Sequence, residues 1–141
     1  MSEKPFDVQT VEGRLLLARL STFATAEAAQ VYSDAIAAGV RSCTGNIVIC
    51  ADWSRAGVVP PTVAEVLKAM LERSNPRVER SALLVDPANA IFGLQAERIV
   101  REAAHPSRRT FREVTALLIW LGEVLTPTQL SAARAYLNRP R

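Results

Sequence analysis

The stretch Ile47–Ala51 reads IVICA, and the polar segment DWSR at residues 52–55 follows it directly. The five residues are apolar at both odd and even positions, and three of them are β-branched. A short run with no polar face is typical of a central strand of a parallel sheet, which is buried on both sides. The stretch therefore predicts an α/β fold in which helices cover a mostly parallel sheet.

A β-hairpin is predicted before this strand. Phe6–Val11 alternates apolar and polar residues, the pair at 12–13 is a turn signal, and Arg14–Leu20 is a more apolar second strand. A helix follows, with Thr25 just before its first turn and Gly39 as the expected C-terminal stop.

The segment after residue 55 predicts a helix, a strand and a second helix. Thr62 and Glu65 have the spacing of a capping box, and an apolar stripe runs from Val63 to Leu71. Ser81–Val85 is a second short buried strand, and Asp86 is the expected cap of the next helix, with proline at its first position.

The end of the chain predicts an edge strand and two helices. Arg108–Val114 mixes strand-forming residues with charges, which is typical of a sheet edge. Thr115 is the expected cap of a short apolar helix, and residues 126–129 form a second capping box before the helix Thr128–Asn138. We expect this last helix to pack on its own domain, the alternative being a second copy.

The predicted order is ββαβαβαβαα, a single domain over residues 1–141 with a five-stranded mixed sheet. The first strand is antiparallel to its hairpin neighbour, and the strands joined through helices are parallel. A chain of 141 residues with 49% hydrophobic content and a net charge of +3 is long and apolar enough for its own core. It has no apolar run of about 20 residues, so we expect no membrane insertion.

Charges and cysteines exclude several functions. The chain has 15 arginines and 2 lysines, but acids are interleaved with them, so ion-paired solvated surfaces are favoured over a nucleic-acid interface. Cys43 and Cys50 match no metal or redox spacing, and His105 is the only histidine. We expect no metal, no cofactor and a reducing, cytoplasmic location, since the first residues contain no apolar signal segment.

A catalytic centre is not predicted. Asp52 and Asp86 follow neighbouring strands and could meet at the carboxyl edge of the sheet, but both are ordinary turn or cap residues. Ser54, His105 and Asp86 could in principle assemble a triad, but no nucleophile-elbow pattern surrounds the serine. The sequence therefore favours a protein that is not an enzyme.

Three stretches resemble the STAS superfamily of sulfate transporters and anti-sigma-factor antagonists, in particular its stand-alone bacterial members. They are residues 46–54 with the helix from Thr62, Arg80–Val85, and Arg108–Glu113 with the following Ala116 and Trp120-Leu121. The resemblance covers residues 6–125, so the C-terminal helix within 126–141 lies beyond it. It implies a regulatory or scaffolding module that binds another protein.

The resemblance also implies a phosphorylation switch in one branch of the family, where a serine stands in an Asp-Ser-Ser-Gly loop. This chain has GVVPPT at residues 57–62 instead, and Thr62 is the only hydroxyl there. Phosphate on Thr62 would meet the positive end of a helix, which makes Thr62 a candidate phosphorylation site, the alternative being a plain helix cap.

The candidate partner-binding residues are those that leave the central strand. Asp52, Trp53, Ser54 and Arg55 stand at the edge where open α/β sheets meet ligands and partners. Trp53 either contacts the partner or folds back onto the core. The partner is expected to be another protein, with a homodimer as one option. The alternative function is a carrier or sensor of a small apolar ligand.

Overall fold

The computed structural model describes residues 5–139, which contain one five-stranded sheet. The strands are β1 (Phe6–Val11), β2 (Leu15–Leu20), β3 (Ile47–Asp52), β4 (Val78–Leu84) and β5 (Arg108–Phe111). They lie side by side in chain order; β1 is antiparallel to β2, and every later pair is parallel. The predicted fold class, a mixed and mostly parallel α/β sheet, is confirmed.

Five helices complete the predicted order. They are α1 (Ala26–Ser42), α2 (Pro61–Ser74), α3 (Ala90–Glu102), α4 (Val114–Gly122) and α5 (Pro127–Leu137), with a single 3-10 turn at Asn75–Arg77. β4 begins three residues earlier than the sequence predicts, because Val78 and Arg80 already pair with β3 in spite of their polar neighbourhood. β5 is shorter than predicted and ends at Phe111.

Alternate residues of the strands build two separate cores. Leu16 and Ala18 of β2 belong to the core beneath α1, α2 and α3, which we call the first face. Leu15 and Leu17 belong to the core beneath α4 and α5, the second face. The expectation that β3 is buried on both sides is met, and β2 is buried on both sides as well, since side chains of a strand point alternately to opposite faces.

Gly39 does not end α1, contrary to the prediction. The helix continues to Ser42, and Gly39 lies where α1 crosses the hairpin. A β-carbon at this position would stand 2.6 Å from Cδ1 of Leu16 and 3.3 Å from Cγ1 of Val8. The glycine therefore allows close approach of helix and sheet, which is a tertiary requirement that local stop signals do not reveal.

The predicted caps of α2, α3 and α4 are wrong by a few residues. Pro60 is the N-cap of α2 and Pro61 its first residue, because proline's fixed φ and missing N–H suit the first helical position. Thr62 is thus inside the helix. Asn89 caps α3 by accepting a hydrogen bond from Phe92 N at 3.3 Å.

Asp86 instead shapes the turn before α3. Its Oδ1 accepts a hydrogen bond from Ala88 N at 2.9 Å, as aspartates do in Asx-turns. Glu113 rather than Thr115 is the N-cap of α4, without a side-chain hydrogen bond.

The C-terminal helix packs on its own domain, as predicted. The capping box is present: Thr126 Oγ1 accepts from Gln129 N, and Gln129 Oε1 accepts from Thr126 N, both at 3.1 Å. Ala133, Tyr136 and Leu137 are buried in the core of the second face. The last two residues of the predicted C-terminal segment, and residues 1–4, lie outside the described part of the chain.

Candidate functional site

An open depression lies at the carboxyl ends of β2, β3 and β4, where the sequence predicts the partner-binding site. It has a volume of about 490 Å³. Its lining comes from the segments that follow the three strands: Thr22, Ser54, Arg55, Ala56, Gly57, Asp86 and Asn89. Two of the four predicted partner-binding residues, Ser54 and Arg55, therefore line this depression, and Asp86 faces it as well.

Asp52 and Ser54 form the turn that leaves β3. Asp52 Oδ1 accepts hydrogen bonds from Ser54 N at 2.9 Å and from Ser54 Oγ at 2.5 Å. Both residues are buried, with 8% and 7% of their surface exposed. The carboxylate thus holds the loop in shape, and Asp52 offers a partner little surface.

Trp53 is fully buried, so of the two alternatives predicted for it the ring folds back onto the core and offers no surface to a partner. Its Nε1–H donates to Tyr32 Oη at 3.2 Å, and its ring packs at a tilt against Phe92 with centroids 6.3 Å apart. Burial raises the pKa of Tyr32, and the hydrogen bond from Trp53 offsets this only in part. The large apolar ring folds inward because its one polar group finds a partner there.

The loop after Trp53 is held by side chains from both flanking segments. Gly57 N donates to Thr22 Oγ1 at 2.6 Å, and Asn89 Nδ2 donates to Ala56 O at 3.2 Å. Gln95 of α3 bonds both backbone groups of Val59, each at 3.0 Å. The loop is therefore fixed against the first turns of α3 and presents a preformed surface.

Three large aliphatic residues are exposed on this loop and on α3, namely Val58, Ile91 and Leu94, and we refer to them as the apolar patch. Val58 is 51% exposed, and Ile91 and Leu94 are each 65% exposed. Ile91 and Leu94 are neighbours at i, i+3 on the helix, and Gln95, which holds the loop beside Val58, lies one turn beyond Ile91. Sequence reasoning did not single out this patch.

A signal for the patch exists in the sequence. The sequence predicts an inward stripe on α3 formed by Phe92, Ala96, Ile99, Val100 and Ala103; Val100 is half-buried and the other four are buried. Ile91 and Leu94 do not fall on that stripe, so two large aliphatic residues remain on the outer side of an amphipathic helix.

Thr62 is exposed at the second position of α2, two residues after the loop that carries Val58. Its hydroxyl makes no capping hydrogen bond, so the plain-cap interpretation does not hold. The position is at the positive end of the helix, where a phosphate would be stabilised. Phosphorylation of Thr62 stays a prediction.

The histidine does not join the serine and the aspartate. His105 lies at the amino ends of β4 and β5, where Nδ1 accepts from Ser107 N at 3.0 Å and Nε2 therefore donates to Val78 O at 2.9 Å. Ser54 and Asp86 lie at the carboxyl ends of the strands, across the sheet. The rejected triad is thus not assembled, and the part of the chain from residue 5 to 139 brings no three metal-ligating side chains together.

Both cysteines are buried free thiols. Desolvation and, to a smaller extent, the nearby Asp52 carboxylate together raise the pKa of the Cys50 thiol to about 12. The thiolate is strongly disfavoured at neutral pH, so Cys50 packs as a small apolar residue.

One apolar cleft lies between α1 and α2. Its volume is about 180 Å³, and its lining includes Ile36, Val40 and Met70, with Arg41 and Arg73 beside them. Small-molecule sites usually measure roughly 300–1,000 Å³. The cleft is too small for more than a short chain or a single ring.

None of the helices among the described residues has the length and apolar character needed to cross a bilayer. Comparison of the sequence with protein-family models finds no match, and comparison with curated proteins finds none either.

Proposed function

We propose that this chain is a non-enzymatic module of STAS-like type that binds another protein through the apolar patch and the adjoining depression. The observation that carries the proposal is the exposure of Ile91 and Leu94 on a rigid part of the molecule. Large aliphatic side chains held in water are favourable contacts for a partner, because burying one of them gains about 1.5–3 kcal/mol.

The surroundings of the patch suit an interface. The depression lined by Arg55 and Asp86 supplies polar groups beside the apolar residues, as the rim of an interface does. The hydrogen bonds of Asn89 and Gln95 fix the loop before binding, so little conformational entropy is lost when a partner docks. A preformed apolar centre with a polar rim is the usual arrangement of binding hot spots.

The STAS-like assignment is supported by the element order and by the position of Thr62. In the resemblance, regulation acts at the start of the helix after the third strand, and Thr62 is exposed there beside the loop of the patch. A phosphate on Thr62 would add negative charge next to the apolar surface and weaken partner binding. Thr62 is the residue at which we propose control of the interaction.

A carrier of a small apolar ligand is the less supported alternative. The cleft between α1 and α2 is small, and the interior of both faces is filled by side chains. Native mass spectrometry of the purified protein tests it, and a bound mass beyond the bare chain would favour the carrier.

The interaction is tested by capture with matched surface variants. The double variant Ile91→Ser/Leu94→Ser removes the patch, and Ile119→Ser removes an equally exposed residue, 66%, on the second face. We expect one specific protein to be enriched by the wild type and by Ile119→Ser, and to be lost, by about 100-fold in affinity, with the double variant. Equal capture by all three proteins would refute the proposed surface.

The switch is tested separately by Thr62→Glu and Thr62→Val. The negative charge of Thr62→Glu should weaken capture of the same partner, whereas Thr62→Val should leave it unchanged, because the hydroxyl has no capping bond to lose. Unchanged capture by Thr62→Glu would remove Thr62 from the proposal and leave the apolar patch in place.

A further inference from the structure

The sheet has two edges, formed by β1 and β5, and β1 is the longer strand. The α1 residues that line the groove beside β1 are uncharged. Among residues 5–139, β1 pairs with β2 alone, over six residues. Ser21 N donates to Pro5 O at 2.7 Å, so hydrogen bonds to β2 are made at residues 5, 7, 9 and 11, which alternate along an antiparallel pair. The backbone N–H and C=O groups of Phe6, Val8 and Thr10 therefore point outward along the edge.

A groove runs between this edge and α1, with a volume of about 710 Å³. On its helix side it is lined by small residues: Ala35, Ala38, Gly39 and Ser42. Val31 lies one turn before Ala35 on the same stripe and is 57% exposed. The flank of α1 above the edge thus presents mainly small residues on which another helix can approach closely, with the exposed Asp34 beside Val31 and Ala38.

The opposite edge is built differently. β5 has only four residues, and Arg109 and Arg112 stand on or beside it. Arg109 stacks on Trp120, with its Cζ 4.9 Å from the ring, and Arg112 pairs with Glu97 at 3.2 Å. Short strands and charged side chains are devices that protect a sheet edge from pairing, and the β1 edge carries them much less.

We propose that β1 pairs antiparallel with β1 of a second copy of this chain, around a two-fold axis at Val8. The two sheets join into one of ten strands, and the two α1 helices meet above the axis along their small-residue flanks. The occupant is a second copy because the edge is complementary to itself when Val8 faces Val8.

The register supports this pairing. With Val8 on the axis, Phe6 of one copy lies opposite Thr10 of the other, and Asp7 lies opposite Gln9. An aromatic–β-branched pair and a carboxylate–amide pair are favourable cross-strand neighbours, and no like charges meet. In this register the outward backbone N–H and C=O groups of Phe6, Val8 and Thr10 form hydrogen bonds with the second copy. In a single copy these groups face the groove.

The test is sedimentation equilibrium of the full chain between 10 µM and about 1 mM, with two matched proline variants. Thr10→Pro removes an outward N–H of β1. Thr110→Pro does the same on β5, where Ser81 N and Val85 N bond Ser107 O and Phe111 O and so direct residue 110 outward. We expect the wild type to dimerise and Thr110→Pro to dimerise equally well. Thr10→Pro should weaken the dimerisation affinity at least tenfold, because the two-fold axis repeats the lost hydrogen bond in both copies.

Two further variants keep the result decisive if proline disturbs folding. Ala38→Arg places bulk and charge on the exposed helix flank and should also give a monomer, with an unchanged circular dichroism spectrum. Val8→Cys should form a covalent dimer on mild oxidation, because Cα atoms of a hydrogen-bonded antiparallel pair stand about 5.5 Å apart. A wild type that stays monomeric at about 1 mM, or a dimer that Ala38→Arg does not weaken, would overturn the proposal.

Discussion

The two faces of the sheet are held by different means. The first face is covered by α1, α2 and α3, each of which connects two adjacent parallel strands. Connections of the same hand between strands in chain order place all three helices on one side. The second face is covered by α4 and α5, which follow the last strand and are tied to the sheet by their own contacts alone.

Arginine side chains near β2 and β4 form hydrogen bonds with the helices of the second face. Arg14, just before β2, donates to Gln129 of α5 at 2.9 Å and pairs with Glu79 at 3.0 Å. Arg80 of β4 donates to Trp120 O at 2.7 Å and to Glu123 at 2.8 Å.

The first face has polar tethers as well, since Arg108 of β5 donates to Leu71 O and Ser74 Oγ of α2, each at 2.9 Å. Its helices are also joined to strands at both ends, whereas α4 and α5 are not, so α4 and α5 should be the first to detach.

The two tryptophans give the sharpest comparison, since each face has one. Trp53→Ala removes a fully buried ring and its hydrogen bond to Tyr32, and should lower the free energy of unfolding by about 3–5 kcal/mol. Trp120→Ala removes a ring 9% exposed that stacks on Arg80 and Arg109, and should cost about 2 kcal/mol. Urea denaturation followed by circular dichroism measures both, and equal losses would contradict the comparison.

A smaller effect is expected from the tether at α5. Gln129→Ala leaves Arg14 and the backbone N–H of Thr126 without their acceptor and should cost about 1–2 kcal/mol. Amide hydrogen exchange should accelerate in α5 and remain unchanged in β3. Gln30→Ala removes only an exposed bond to Asp34 on α1 and should change stability by less than about 0.5 kcal/mol. Uniform acceleration across both faces would show that α5 does not detach separately.

The smallest effect is a pH dependence of the same helix. Burial raises the pKa of Asp7, but hydrogen bonds from Tyr136, Arg139 and Gln9 outweigh it and hold the pKa below its ordinary value. A carboxyl with a lowered folded-state pKa stabilises the fold above its unfolded pKa, and this contribution is lost as the pH falls through the folded value.

Asp7→Asn should therefore reduce stability by no more than about 1 kcal/mol at pH 7, and the difference from wild type should vanish in strong acid. Asp34→Asn on α1 is the control. Thermal unfolding across the acidic range measures the effect, and a difference that persists unchanged at low pH would show that Asp7 acts through packing and not through its charge.

Much of the fold was predictable because the burial of a strand is reflected in the order of apolar and polar residues within it. Three elements are specified by neighbouring residues alone. They are the strand that contains Ile47–Ala51, apolar at odd and even positions, the alternating strand Phe6–Val11, and the helix that begins with the capping box at Thr126. The errors at Gly39, Thr62 and Asp86 have one cause. At each position a local signal for a helix end was outweighed by another requirement. For Gly39 this is the close approach of helix and sheet, for Thr62 the proline pair before it, and for Asp86 the alternative cap Asn89.

The candidate site was predictable in place but not in residues. The carboxyl edge of the sheet was expected, and Ser54 and Arg55 line the depression there. The two alternatives for Trp53 stayed open because its burial depends on Tyr32, a residue 21 positions earlier. Ile91 and Leu94 were missed because the sequence does not show whether another element covers the outer side of α3. Two aliphatic residues on that side indicate a binding surface only when the side is known to be exposed.

The sequence by itself determined the order of elements and the burial of the central strands, since these depend on residues close together in the chain. Only the tertiary structure decided which face each helix covers, where the tryptophan rings lie, and which apolar and backbone groups stay exposed at the α3 patch and the β1 edge. Exposure depends on what packs against a residue from distant parts of the chain, and no local pattern contains that information.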